Sequence, residues 1–273
     1  MGKKEVEIAC FNRLVKFTPK ENTKARFYYN LIKSANNCSS DNERPDFILE
    51  DVDYVLGLEH CLVDGLYNEY HDSHFRKKNN KINQVVREYA RDKDIENGIE
   101  STKDIIMSEY DSYNIFKYMD FIKIFEDICM DHNKKCFDGK ILGYRSNIEK
   151  YNKRKKYLGC LIEIPLPDIR GGYIIKIKDN EHVQTLNNIP VTKDMVSIIQ
   201  KMDGFDFVVI CAYSKRFSIA TYFDRADIKA SIKEQRIKLV DEFRYNQHYI
   251  ADNIEIQKGK DCHTLVFTGH FKN

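Results

Sequence analysis

The sequence predicts an α/β fold with a mixed central sheet flanked by helices. Two observations carry this. Short, strongly apolar runs rich in β-branched residues (54–63, 157–164, 205–211) alternate with segments whose apolar residues recur at helical spacing. Capping residues and Gly or Pro breaks separate the two kinds of segment, and strand–helix–strand alternation is the signature of this class.

The first well-marked element begins at Thr18-Pro19-Lys20-Glu21, which reads as a capping box with proline at the first helical position. Phe27, Tyr28, Leu31, Ile32 and Ala35 then repeat at helical spacing, predicting a helix over 19–35. Pro45–Glu50 is a short strand with proline at its first position, where a strand tolerates it. Asp51-Val52-Asp53 makes a tight turn into a second strand, Tyr54–Val63, apolar enough to be buried on both faces. Residues 66–156 are polar and largely helical in pattern, one helix marked by Ile82, Val85, Val86 and Tyr89 and a longer one by Ile115, Tyr118, Met119, Ile122, Phe125 and Ile128.

Strand patterns return at Tyr157–Ile164 and Tyr173–Lys178. Thr192 caps a helix over 193–202 that Gly204 stops, and Phe205–Cys211 is a continuous apolar strand. Ser218–Phe223 is a further strand, followed by a helix capped by Asp224 and a final hairpin over Asn253–Gln257 and Thr264–Thr268. The domain reading is therefore an α/β core formed by 1–65 and 157–273, with a helical insertion over 66–156 that carries basic clusters at its edges.

Composition sets limits on function. At 273 residues, 42% hydrophobic and 32% charged, the chain has ample core and an above-average charged surface. A net charge of +2 does not by itself point to nucleic acid, and its distribution is more informative. Five of the seven residues from Lys150 to Lys156 are basic, and Arg76, Lys77, Lys78 and Lys81 form a second cluster. Each cluster reads either as a solvated helix end or as a contact for phosphates. Eight cysteines without a Cys-x-x-Cys pair, several inside apolar runs, read as small buried residues of a reducing compartment. The amino terminus has no signal-peptide apolar core and no apolar run nears the ~20 residues of a membrane span. A cytoplasmic protein with no membrane partner is expected.

The informative segment is Arg44-Pro45-Asp46-Phe47-Ile48-Leu49-Glu50, followed by Gly57-Leu58-Glu59-His60-Cys61. Glu59 lies within an apolar strand, where an unpaired carboxylate costs several kcal/mol. Either a basic residue across the sheet satisfies it, or a hard cation shared with Asp46 does, and magnesium prefers such oxygen ligands. Pro-Asp, a short span, then Glu-x-Lys on the next strand is the pattern of the PD-(D/E)XK nucleases, and Pro45-Asp46 with Glu59 resembles it. The resemblance implies a restriction-endonuclease-like core, Asp46 and Glu59 as ligands of Mg²⁺ (Mn²⁺ as a substitute), and hydrolysis of phosphodiester bonds in nucleic acid, DNA foremost. It also makes the His60 carbonyl a further metal ligand.

One departure from the pattern matters: Cys61 stands where the lysine belongs. A lysine displaced from elsewhere, with Lys77 and Lys78 nearest, answers this best, and Lys78 is taken as the catalytic cation. Participation by His60, which strand alternation turns away from Glu59, and a degenerate site that only binds nucleic acid or protein are the other answers. Lys77, Lys78, Lys153, Arg154, Lys155 and Lys156 are the expected nucleic-acid contacts. A second copy of the chain or a defence-system protein are further partners the resemblance leaves open. Glu163 repeats the anomaly of Glu59, either joining the metal site or pairing with a basic neighbour. Glu21 belongs to the capping box, Asp64 is a third ligand or the start of a turn, and Glu59, Asp64, His71 and His74 form a rival transition-metal set.

Overall fold

The computed structural model describes residues 3–16, 18–21, 23–34, 45–63, 118–137, 143–165, 173–178, 180–184, 189–213, 218–245, 248–258 and 263–272. Their order is α1 (Lys3–Leu14), α2 (Lys24–Ser34), β1 (Phe47–Glu50), β2 (Tyr54–Leu62), α3 (Tyr118–Cys136), α4 (Tyr144–Glu149), β3 (Lys155–Pro165), β4 (Tyr173–Ile177), β5 (Asn180–Gln184), α5 (Lys193–Lys201), β6 (Phe207–Tyr213), β7 (Ser218–Asp224), α6 (Ile228–Glu234), β8 (Glu242–Tyr245), β9 (His248–Lys258) and β10 (His263–Lys272). The expected class is what forms: a mixed sheet of five strands in the order β1-β2-β3-β6-β7, with helices on both faces. A three-stranded sheet β5-β4-β8 and the hairpin β9-β10 complete the described strands.

The hairpin of β1 and β2 is antiparallel, with Phe47 opposite Leu58 and Glu50 opposite Val55. β2 and β3 then run parallel, as do β3 and β6, and β7 returns antiparallel to β6. Parallel neighbours require crossovers, and α5 lies in the one between β3 and β6. Side-chain alternation divides the sheet into two cores. Leu56, Leu58, Leu161, Phe207, Val209 and Cys211 face α1 and α2, whose Phe11, Leu14, Tyr28 and Ile32 cover them. Val55, Cys61, Leu158, Cys160, Ile162, Val208 and Ile210 face α3, α4 and α5. Although α3 and α4 fall within the segment 66–156 read as an insertion, Phe121, Phe125, Tyr144 and Ile148 belong to the sheet's own core.

Gly57 permits the close approach of α4. A Cβ there would lie 2.5 Å from Ile148 Cδ1 and 2.8 Å from Pro45 Cγ, so only glycine lets that helix and the start of β1 meet over β2.

Several local expectations are corrected. The capping box at Thr18 does not form, and the helix starts at Lys24 instead of 19. Thr23 supplies the cap, its hydroxyl accepting from the Arg26 N–H at 3.1 Å, while Thr18 donates to Tyr29 Oη at 3.1 Å and Glu21 sits exposed before the helix. Asp224 likewise does not cap α6. Asp227 does, accepting from the Ala230 N–H at 3.0 Å, while Asp224 closes the turn before the helix, its Oδ1 accepting from the Asp227 N–H at 3.1 Å and its Oδ2 held by Lys24 at 2.8 Å and Tyr28 at 3.1 Å. Helix α1 and strands β5 and β8 were not expected. Thr192 caps α5 as read from the sequence, accepting from the Met195 N–H at 3.1 Å. No described helix is long and apolar enough to cross a membrane.

Candidate active site

The β1–β2 register fixes the two acidic residues with respect to each other. Continuing the pairing by one residue beyond Phe47–Leu58 sets Asp46 opposite Glu59, and residues directly opposite in an antiparallel pair project from the same face. The hydrogen bonds agree. Asp46 Oδ2 accepts from the His60 N–H at 2.8 Å, and Glu59 Oε2 accepts from the Asp46 N–H at 3.3 Å. Both residues are buried, 6% and 5% exposed, on the face covered by α3 and α4.

Glu59 does not rest on Asp46 alone. Its Oε1 accepts from Tyr144 Oη at 2.7 Å and meets His132 Nδ1 at 2.9 Å. Tyr144 opens α4 just after Gly143, and its hydroxyl also lies 3.4 Å from His132 Nδ1. His132 comes from α3, where it follows Phe125 by seven residues and Cys129 by three, so helical periodicity aims it at the sheet along the apolar stripe.

Cys61, two residues beyond Glu59 and on the same face, completes the group. Its Sγ lies 3.3 Å from Cys160 Sγ on the neighbouring strand. Burial opposes ionisation of Cys61, but the Cys160 thiol and the His132 imidazole outweigh it and draw the Cys61 thiol down to about 6. Burial similarly opposes charge on His132, yet its hydrogen bonds to Cys61 and Glu59 raise it to about 10. His132 therefore stands between Glu59 and Cys61, and it is the basic side chain nearest Glu59 among the described residues. Burial, then the Glu59 charge, pushes the Tyr144 hydroxyl far above its ordinary value, so it is a permanent donor.

The other predicted residues separate into distinct locations. His60 and Glu163 point to the opposite face of the sheet, as alternation requires of His60. There His60 Nε2 lies 2.7 Å from Glu163 Oε2, and Arg13 of α1 donates to Glu163 Oε1 at 2.5 Å. Glu163 is thus paired with basic neighbours and takes no part in the Asp46–Glu59 group. The basic segment lies at the far end of β2. Lys155 is level with Tyr54, five residues before the Glu59–Cys160 level, or ~17 Å along the strand. Lys153 pairs with Glu50 at 2.9 Å and Lys156 with Glu149 at 2.7 Å, whereas Arg154 and Lys155 are exposed. Lys77, Lys78, Asp64, His71 and His74 lie outside the described residues.

The donor set suits a hard divalent cation. Asp46 and Glu59 bring four carboxylate oxygens to one face, and Mg²⁺ commonly uses one or two carboxylates while keeping several waters. His132 competes with such an ion, because its Nδ1 already engages Glu59 Oε1 at 2.9 Å.

Comparison of the chain with protein-family models, with curated proteins and with solved structures finds no match.

Proposed function

We propose that this protein is a divalent-metal-dependent phosphodiesterase acting on DNA, built on a core like that of the PD-(D/E)XK nucleases. The observation that carries this reading is the cross-strand pairing of Asp46 with Glu59 on one face of the sheet, with Pro45 immediately before the first acid. The order of elements supports it: an acidic hairpin, then helices, then a strand parallel to the second hairpin strand.

Asp46 and Glu59 would hold Mg²⁺ or Mn²⁺. When bound, such an ion polarises a phosphodiester and lowers the pKa of an attached water. The chain's own groups organise the acids. The His60 N–H orients the Asp46 carboxylate and the Tyr144 hydroxyl orients Glu59. His132 supplies the positive charge that the family's lysine would bring, beside a cysteine that cannot. Lys78 remains proposed as a second cation. Of the proposed backbone contacts Lys77, Lys78, Lys153, Arg154, Lys155 and Lys156, the exposed Arg154 and Lys155 are the most available to phosphates. Their ~17 Å from the acids corresponds to about five nucleotides of one strand. The six described cysteines are free and buried, which supports a reducing, cytoplasmic setting.

The test is incubation of the purified chain with supercoiled plasmid in Mg²⁺, Mn²⁺ or excess chelator. Metal-dependent nicking that falls at least a hundredfold in both Asp46→Asn and Glu59→Gln is expected. Cutting that survives both substitutions removes the reading.

A second reading, a non-catalytic module that binds nucleic acid, is favoured by one observation: His132 and Tyr144 already engage Glu59, with Cys61 in the lysine position. Salt-sensitive DNA binding without cutting in either metal selects it.

A further inference from the structure

On the face of β2 away from Asp46 and Glu59, three buried side chains from three elements meet. Cys10 of α1, His60 of β2 and Glu163 of β3 each offer a ligand atom, and these atoms all lie within 4.8 Å of one another. Cys10 and Glu163 are fully buried and His60 is 8% exposed. The surrounding core is apolar, built from Phe11, Leu14, Leu58, Leu161 and Val209. We propose that Cys10, His60 and Glu163 form a binding site for a borderline-soft divalent cation, zinc by preference, that ties α1 to the central sheet.

The ligand chemistry is mixed sulfur, nitrogen and oxygen, a set that suits zinc and its neighbours better than magnesium. Bond lengths of 2.0–2.3 Å around a tetrahedral ion require its ligand atoms to stand roughly 3.3–3.8 Å apart. His60 Nε2 and Glu163 Oε2, at 2.7 Å, would part by about 0.6–1 Å, and the Cys10 thiol, within 4.8 Å of both, would draw in to the same spacing. Both are rotamer-scale movements. The proton shared by the imidazole and the carboxylate would leave as the ion enters, as is general for metal binding at such groups.

Two features surround the three ligands in the way metal sites are usually supported. Arg13 holds Glu163 Oε1, leaving Oε2 turned to His60, and the Arg13 guanidinium itself rests 3.7 Å from the centre of the Tyr213 ring. Cys211, opposite Glu163 in the β3–β6 register, is a further buried thiol on this face of the sheet. The Arg13–Glu163–His60 chain accounts for the carboxylate without a metal. It gives no role to the Cys10 thiol, which α1 also brings within 4.8 Å. Because the His60 N–H also fixes the Asp46 carboxylate, an ion here would stiffen the backbone that carries Glu59.

The experiment is titration of the full, chelator-treated chain with Co²⁺, followed by absorbance. A near-ultraviolet thiolate-to-cobalt charge-transfer band and the intense visible bands of four-coordinate cobalt should saturate at one equivalent, and any Co²⁺ taken up at Asp46 and Glu59 adds no such band. Zn²⁺ should displace it. Cys10→Ala should abolish the charge-transfer band, and His60→Gln should weaken Co²⁺ binding at least tenfold, with circular dichroism reporting the fold of each. Asp46→Asn should leave the spectrum unchanged, which separates this site from the proposed magnesium site whatever becomes of that one. Absence of stoichiometric uptake, or a charge-transfer band that persists in Cys10→Ala, overturns the proposal. Should Cys10→Ala be unfolded, an unaltered Co²⁺ affinity in His60→Gln overturns it equally.

Discussion

Removing the Glu59 carboxylate should destabilise the protein substantially, and the amount follows from its partners. Oε1 takes the Tyr144 hydroxyl at 2.7 Å and His132 at 2.9 Å, and Oε2 takes the Asp46 N–H at 3.3 Å, all at 5% exposure. Glu59→Ala leaves the Tyr144 hydroxyl, the Asp46 N–H and the His132 ring facing a void. Breaking a buried ion pair from one side costs about 3–5 kcal/mol. Glu59→Gln keeps an acceptor oxygen of the same reach for Tyr144 but removes the charge and turns an amide NH2 toward the Asp46 N–H, which gives up the weaker 3.3 Å bond, so about half that loss, ~2 kcal/mol, is expected. Urea unfolding at pH 7, followed by far-ultraviolet circular dichroism and tyrosine fluorescence (the chain has no tryptophan), measures both. With a slope of about 3 kcal/mol per molar urea, the midpoint should fall by more than about 1 M for Ala and by roughly half of that for Gln. A loss below about 1 kcal/mol for Glu59→Ala would refute the argument, since it would mean that solvent, not Tyr144 and His132, satisfies the carboxylate.

Further predictions concern the surroundings of this pair. His132 is raised to about 10 in the fold, so its contribution is full below pH 6.5 and is lost as pH rises through 10; Cys61, lowered to about 6, contributes above 9 and loses that as pH falls through 6. The two slopes cancel between pH 6.5 and 9, and a flat urea midpoint is expected there, whereas Cys61→Ala should lose on the order of 1–2 kcal/mol across the same interval; a flat variant contradicts the pairing. Gly159→Ala should destabilise by about 1–3 kcal/mol in thermal unfolding, because a Cβ there would stand 2.7 Å from both Leu58 Cδ2 and Phe207 Cε2. Arg145→Lys should cost about 1 kcal/mol, since lysine cannot reproduce the guanidinium's paired bonds to Asp206 at 2.8 and 3.0 Å together with the bond to the Gly204 carbonyl at 2.9 Å; unchanged thermal stability would make that contact incidental.

What the sequence disclosed and what it concealed divide along a physical line. The hairpin, its turn at 51–53 and helix α5 were legible because each is specified locally: an apolar run bounded by turn residues, or a threonine three residues before the N–H it caps. Glu59 was legible as an anomaly, a charge within an apolar strand. Its real neighbours were not, because His132 and Tyr144 lie 73 and 85 residues away in the chain and reach it only through the packing of α3 and α4. A usable signal for His132 did exist, in its position on the stripe of Phe125, Cys129 and Cys136. The competing capping motifs misled for a related reason. Thr18 and Asp224 have suitable side chains, but Thr18 turns to Tyr29, and Asp224, held by Lys24 and Tyr28, caps the Asp227 N–H in the turn one step before the helix. Strand β8 was missed because Glu242-Phe243-Arg244-Tyr245 is too short to declare itself, and its role comes from distant partners, the pairing with β4 and the burial of Phe243 against Tyr118 and Phe121.

The most direct test of the shared-cation reading is a Mn²⁺ titration of the parent chain, Asp46→Asn and Glu59→Gln, read by the electron paramagnetic resonance of free Mn²⁺. The parent should remove one Mn²⁺ per chain, each variant should bind it at least tenfold more weakly, and Mg²⁺ should compete. Equal Mn²⁺ uptake by all three proteins, or none by the parent, would contradict the claim that Asp46 and Glu59 together hold a hard divalent cation.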